Sequence, residues 1–158
     1  MTENVVTLLQ RHPFVEEFQP QHIEKLSSMA TRVRFEQDQV IFREGDECGE
    51  FYLIMNGLVA LEIAAPDHVL RVQTLSAGDE LGWSAILMGR RKHFQARAHE
   101  RAEALAFDGG ELLAACKQDA AFGYVLMHRL LGVVSERLQA TRLQVLDMYS
   151  PVAKRAGT

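Results

Sequence analysis

The chain has 158 residues, 47% apolar and 24% charged, the composition of one ordinary globular domain rather than a disordered, collagen-like or disulfide-stapled chain. Seventeen basic against 21 acidic side chains leave a formal charge of −4, which argues against a chain built as a whole to bind nucleic acid. The longest apolar runs, 51–55 and 130–134, are far too short to span a bilayer.

Met1-Thr2-Glu3-Asn4 carries neither the basic nor the apolar region of a secretory signal. Residues 5–30 then show helical spacing in Val5, Val6, Leu8 and Leu9, and again in Ile23, Leu26 and Met29, interrupted by Pro13 and Pro20. Pro20 suits the first turn of a helix.

From about residue 31 to 108 the pattern changes to short alternating runs. Val33 and Phe35 open it, followed by Val40 to Phe42, Tyr52 to Ile54, Leu58 to Ala65, Val69 to Leu75, His93 to His99 and Ala102 to Phe107. Turn residues separate them at Gly45-Asp46, Asn56-Gly57, Pro66-Asp67 and Gly78-Asp79, and Asn-Gly is the strongest of these hairpin signals. Many short strands at close spacing predict a double-sheet antiparallel roll, of the jelly-roll kind. One stretch, Gly82 to Gly89, reads as a single helical turn between glycines.

A short helix is expected over 109–117, and Asp119 can cap a long one running to about Tyr149. Along it Tyr124, Met127, Leu131, Val134, Leu138, Thr141, Val145 and Met148 follow 3-4 spacing. A second stripe, Phe122, Val125, Leu126, Leu130 and Val133, would face the roll. The helix is too long for one small domain to cover, so the first stripe predicts a two-fold homodimer. Ser150-Pro151 ends the helix, leaving 150–158 as a tail and 1–149 as a single domain.

Charge is uneven along the chain. Residues 1–116 carry 11 basic and 18 acidic side chains, while Arg90, Arg91, Lys92, Arg97 and Arg101 form a local basic cluster, a candidate anion site. The six histidines include no His-x-His pair. His93 and His99 are six apart on one strand, roughly 20 Å, too far to share a metal, so neither a cupin-like metal centre nor catalysis is expected. Ser84 has no His-Asp partners that the sequence can place nearby. Cys48 and Cys116 lack metal-binding spacing, which suits a reduced, cytoplasmic setting.

The glycine framework is more specific. The stretch F-E-Q-D-Q-V-I-F-R-E-G-D-E-C-G-E-F-Y-L-I-M-N-G-L-V-A-L (35–61), followed by L-S-A-G-D-E-L-G-W (75–83), resembles the cyclic nucleotide-binding domain of catabolite-activator-type regulators. Gly45, the Tyr52-Leu53-Ile54 strand, Gly57, Gly78-Asp79 and Gly82 carry the resemblance. It implies a β-roll with flanking helices and a long C-terminal dimerisation helix. It also implies a phosphate-binding cassette after Gly82, where a short helix offers unpaired N–H groups to an anion.

In that family the cassette begins Gly-Glu, the Glu accepting from a ribose 2′-hydroxyl, and a later Arg clamps the cyclic phosphate. Here Trp83 replaces the Glu and Lys92 the Arg, with Arg91 as an alternative clamp one residue away. Trp donates one N–H and accepts nothing, and Lys lacks the bidentate fork. The candidate ligand residues are therefore Gly82, Trp83, Ser84, Ala85, Arg91, Lys92, His93, Phe94 and Gln95, with Thr141 reaching in from the long helix. Such a pocket suits a small anionic group on a flat or apolar body, in place of cyclic nucleotide bound in the usual way. A genuine cAMP or cGMP receptor using Lys92 or Arg91 and backbone amides, and a ligand-free interaction scaffold, remain the alternatives. Nine residues after Tyr149 are too few for a winged helix-turn-helix, so output is expected through dimer geometry or a partner protein rather than direct DNA binding.

Overall fold

The computed structural model describes residues 4–47, 49–86, 92 and 94–149. Helix α1 (Val5–Gln10) begins at Asn4, whose side chain accepts from the Val6 N–H, and α2 (Pro20–Ser28) starts on its proline. Eight strands follow: β1 (Thr31–Phe35), β2 (Val40–Phe42), β3 (Glu50–Asn56), β4 (Val59–Ala64), β5 (Val69–Leu75), β6 (Glu80–Leu81), β7 (Gln95–Ala98) and β8 (Ala102–Asp108). Helices α3 (Gly109–Gln118) and α4 (Ala120–Tyr149) complete the chain.

The strands form two four-stranded antiparallel sheets, ordered β1-β8-β3-β6 and β2-β7-β4-β5. Alternate residues of the first sheet serve two cores. Ile54, Leu81 and Ala102 meet Phe42, Leu61, Leu75 and Ala96 of the second sheet inside the roll. Phe51, Leu53, Leu105 and Phe107 pack outward against Leu9, Phe14, Leu26 and the α4 residues Phe122, Leu126, Leu130 and Val133. Fully burying each such side chain is worth roughly 1.5–3 kcal/mol, which is what fixes α4 on the roll.

The Asn56-Gly57 signal does not make a hairpin. It joins β3 and β4, which belong to different sheets and do not pair. Gly57 is needed for another reason: its φ is +87°, and a Cβ there would lie 2.3 Å from the Arg101 carbonyl oxygen. Asn56 Oδ1 accepts from the Glu103 N–H, tying the crossing to β8. The true hairpin is β4–β5, closed at Pro66-Asp67 by the Ala65 N–H donating to the His68 carbonyl.

At the other end, Asp108 Oδ1 accepts from the Glu111 N–H and caps α3. Removing it in Asp108→Ala should cost about 1 kcal/mol in urea unfolding. Asp119 caps α4 through the Phe122 N–H and receives Lys25 Nζ at 2.8 Å, which holds its carboxyl below the usual range and clips α2 to the start of α4. On the inward stripe of α4, Phe122, Leu126, Leu130 and Val133 are buried and Val125 is half-buried. On the other stripe Tyr124, Leu131, Leu138, Val145 and Met148 are exposed, joined by Leu143, Leu146 and Tyr149, which the spacing had not singled out.

Candidate functional site

Gly82 closes β6 with φ +79°, and a single turn of 3-10 helix, Trp83–Ile86, follows it. Residues 87–91 and His93, and with them the candidate clamp Arg91, lie outside the described residues. Most of the candidate ligand residues that can be located fall into two groups, while Ala85 packs into the core beneath the helices and Gln95 turns to Glu62.

The first group surrounds Lys92. Its side chain is buried, with Nζ 4.3 Å from the Phe42 ring centre and 3.4 Å from Ser84 Oγ. Its backbone donates to the Asp46 carbonyl and accepts from the Gly45 N–H, so the loop after β2 fixes where the cation sits. A Cβ on Gly82 would lie 3.3 Å from Lys92 Nζ. The ammonium is thus tucked beneath the cassette backbone against an aromatic face, a favourable cation–π placement.

The second group lines a cavity of about 270 Å³ between the roll and α4. Trp83 and Phe94 face it from the cassette side, Leu61, Val72 and Gln73 from β4 and β5, and Val134, Arg137, Leu138, Thr141 and Gln144 from α4. Sequence reasoning had named Trp83, Phe94 and Thr141 for this role, and they meet here. Val134, Leu138 and Thr141, expected at a dimer seam, also wall this cavity. Lys92, Ser84 and Gln95 are not among its lining residues. Gln95 instead donates to Glu62 Oε1 at 2.7 Å, where Arg97 also lands at 3.2 Å. Burial acts to raise the Glu62 carboxyl, but those two donors outweigh it and hold it low.

Of the basic cluster of the sequence, the three members among the described residues are dispersed by these contacts. Arg97 serves Glu62 and the Asp38 carbonyl, Arg101 lies 3.7 Å from Glu36, and Lys92 is inside. Among the described residues no group of His, Cys, Asp and Glu could hold a metal ion, and no helix is long and apolar enough to cross a membrane.

Arg137 and Gln144 were missed. They lie four residues before and three after Thr141, so helical spacing from Thr141 would have found them. Thr141 donates to the Arg137 carbonyl at 2.9 Å, Gln144 Nε2 donates to the Val72 carbonyl at 2.6 Å, and Arg137 donates to the Glu80 carbonyl. Gln144 and Arg137 thus fasten this face of α4, the lid of the cavity, to β5 and β6, while Thr141 bonds back within the helix.

The model of the cyclic nucleotide-binding domain matches residues 32–119. Among solved structures, a cyclic nucleotide-binding domain from Methylobacillus flagellatus is similar with a TM-score of 0.79 at 16% identity, over 92% of this chain and 82% of that one. The catabolite activator protein of Thermus thermophilus gives 0.72 at 24% identity, over 87% of this chain and 63% of its own. The N-terminal domain of a transcriptional regulator from Streptomyces coelicolor gives 0.68 at 19%, over 85% and 94%. No curated protein sequence matches. The family is typically regulatory rather than catalytic. With more than half of its length matched and the paired sheets, cassette turn and covering helix all in place, the chain belongs to the cyclic nucleotide-binding domain family.

Proposed function

We propose that this chain is a ligand-sensing regulatory module in which the cassette has been rebuilt so that cyclic nucleotide is not held in the family's usual way. The observation that carries this is the position of Trp83. It stands where the resemblance calls for the ribose-binding Glu, and its indole walls the cavity together with Phe94. The one cassette cation among the described residues, Lys92, sits against Phe42 and Ser84. Replacing the carboxylate acceptor removes one charge-assisted contact, worth roughly 1.5–3 kcal/mol or on the order of 10–10² in affinity, and a lysine in place of the guanidinium forfeits the bidentate fork of the second. The ligand that fits this reading is small, flat and largely apolar, with a polar or anionic edge for Gln73, Thr141 or Arg137.

Residues 1–149 act as one unit on this reading, working inside the cell as a homodimer through the exposed stripe of α4. The output is a change in dimer geometry or a surface read by another protein.

The test is calorimetric titration with cAMP and cGMP, followed in parallel by emission of Trp83, the single tryptophan of the chain. We expect neither nucleotide to bind more tightly than about 100 µM. Binding at or below the micromolar range, weakened tenfold or more in Lys92→Ala, would replace this reading with a true cyclic nucleotide receptor. That second reading draws on the Lys92 ammonium being 3.4 Å from Ser84 Oγ within the cassette turn.

A further inference from the structure

The cavity's lid rests on a joint of charged groups, of which the ligand reading uses only Arg137. Glu80 is 7% exposed on the short strand β6. It pairs directly with Leu53 of β3, and paired residues on antiparallel strands share a face. Leu53 belongs to the core formed with Leu126, Leu130 and Val133, so the Glu80 side chain lies on the face that α4 covers.

Every element around it contributes a charge or an anchor. From α4 come Arg129, Glu136 and Arg137, and from the preceding turn Asp79. Arg137 donates to the Glu80 carbonyl, and Arg129 donates to the carbonyls of Phe14 at 3.1 Å and Pro13 at 3.3 Å. His12 accepts from the Phe14 N–H at Nδ1, which leaves Nε2–H to donate to the Asp79 carbonyl at 3.2 Å. The N-terminal helices, the strand entering the cassette and α4 therefore meet at one place, and Glu80 is its buried carboxyl.

We propose that Glu80 is a proton-operated release for α4: protonated, it lets the helix bed down over β6, and ionised, it drives the helix outward and opens the cavity. The physical reason is that an ionised carboxylate beneath the helix regains water only if the helix moves away. Arg137 and Arg129 soften that cost without cancelling it. Burial, opposed by Arg137 and then Arg129, lifts the Glu80 carboxyl from 4.5 to about 7. The sign follows from linkage. The docked helix binds the proton near pH 7 and the lifted one nearer 4.5, so rising pH across that window favours the lifted helix. His12, at the same joint, is held below its ordinary value by burial, and Glu80→Gln separates its contribution from that of the carboxyl.

No ligand is involved, so the inference stands or falls separately from the reading of the cavity. The experiment combines Trp83 emission with amide hydrogen exchange, corrected for intrinsic rate, on the unliganded protein between pH 6 and 8. Emission should titrate with a midpoint near 7, because Trp83 and Arg137 wall the same cavity. Protection over residues 138–149 should fall between pH 6 and 8, by up to about tenfold if lifting returns the carboxyl fully to water.

In Glu80→Gln both changes should vanish, with protection kept at its acid level throughout. In Arg137→Gln, which removes the offsetting cation, the emission midpoint should move upward, and this variant decides the matter should Glu80→Gln not fold. Emission flat from pH 6 to 8 would overturn the proposal. So would a titration that survives in Glu80→Gln, an unmoved midpoint in Arg137→Gln, or protection that fails to fall with pH.

Discussion

Gly82→Ala is expected to lose roughly 2–5 kcal/mol of unfolding free energy, the sum of a left-handed backbone forced on a side chain and an overpacked contact. With φ at +79°, an added Cβ would lie 2.6 Å from the Glu50 carbonyl oxygen. That neighbour is backbone within β3, which also pairs with β8, so it cannot turn aside as a side-chain tip would. The second contact, 3.3 Å to Lys92 Nζ, can yield, but only by displacing the ammonium from the Phe42 face. Urea unfolding followed by circular dichroism measures the loss. Gly49→Ala is the control: a Cβ there meets nothing within 4 Å, and its change should stay within about 0.5 kcal/mol. Equal effects at the two positions would mean that the close approach beneath the cassette does not carry the cost.

The largest effect on assembly should come from Leu131→Asp combined with Leu138→Asp. These side chains are 67% and 56% exposed and seven residues apart, hence on the same side of α4. If two copies pack along this stripe, each substitution desolvates a carboxylate without a partner, and the pair should raise the dimer dissociation constant at least 100-fold. Sedimentation at micromolar concentration should find the parent dimeric and the double variant monomeric, with unchanged far-ultraviolet circular dichroism. A parent that sediments as a monomer would remove the dimer from the proposed function. Leu138 also walls the cavity, so Leu131→Asp alone separates assembly from any effect on the ligand site.

Much of this architecture was legible in the residues, and the exceptions have physical causes. The strand over Val69–Leu75 and the helix Ala120–Tyr149 could be placed closely because alternation and 3-4 spacing report directly on what a segment packs against. Asn56-Gly57 misled because a left-handed glycine is demanded equally by a hairpin and by a close crossing, and the sequence does not distinguish them. Trp83, Phe94 and Thr141, which line one cavity, were all named through the family resemblance, Thr141 as the hydroxyl that the family's long helix supplies. Gln73, in an exposed-looking stretch of β5, gave no signal. Glu80 was invisible for another reason. In Gly78-Asp79-Glu80 it reads as ordinary turn charge, and only the register with Leu53 puts it under a helix. The described part of the basic cluster is spread out by folding, while Arg90 and Arg91 lie outside the described residues. Neighbours in sequence, Lys92, Arg97 and Arg101, were sent to an aromatic ring and to two different glutamates.

The strand pairing also bears on how the chain reaches this state. Of the ladders, only β4–β5 joins consecutive strands; β1 must wait for β8, matching Thr31 to Ala106, and β2 must wait for β7. Closing loops of that length costs entropy before any ladder rewards it, which puts folding in the millisecond-to-second regime of high contact order. On a ribosome the first half of the roll would emerge with its edges unsatisfied until the residues of β7 and β8 follow. The lone early hairpin and the N-terminal helices are then what keeps the nascent chain from pairing with its neighbours.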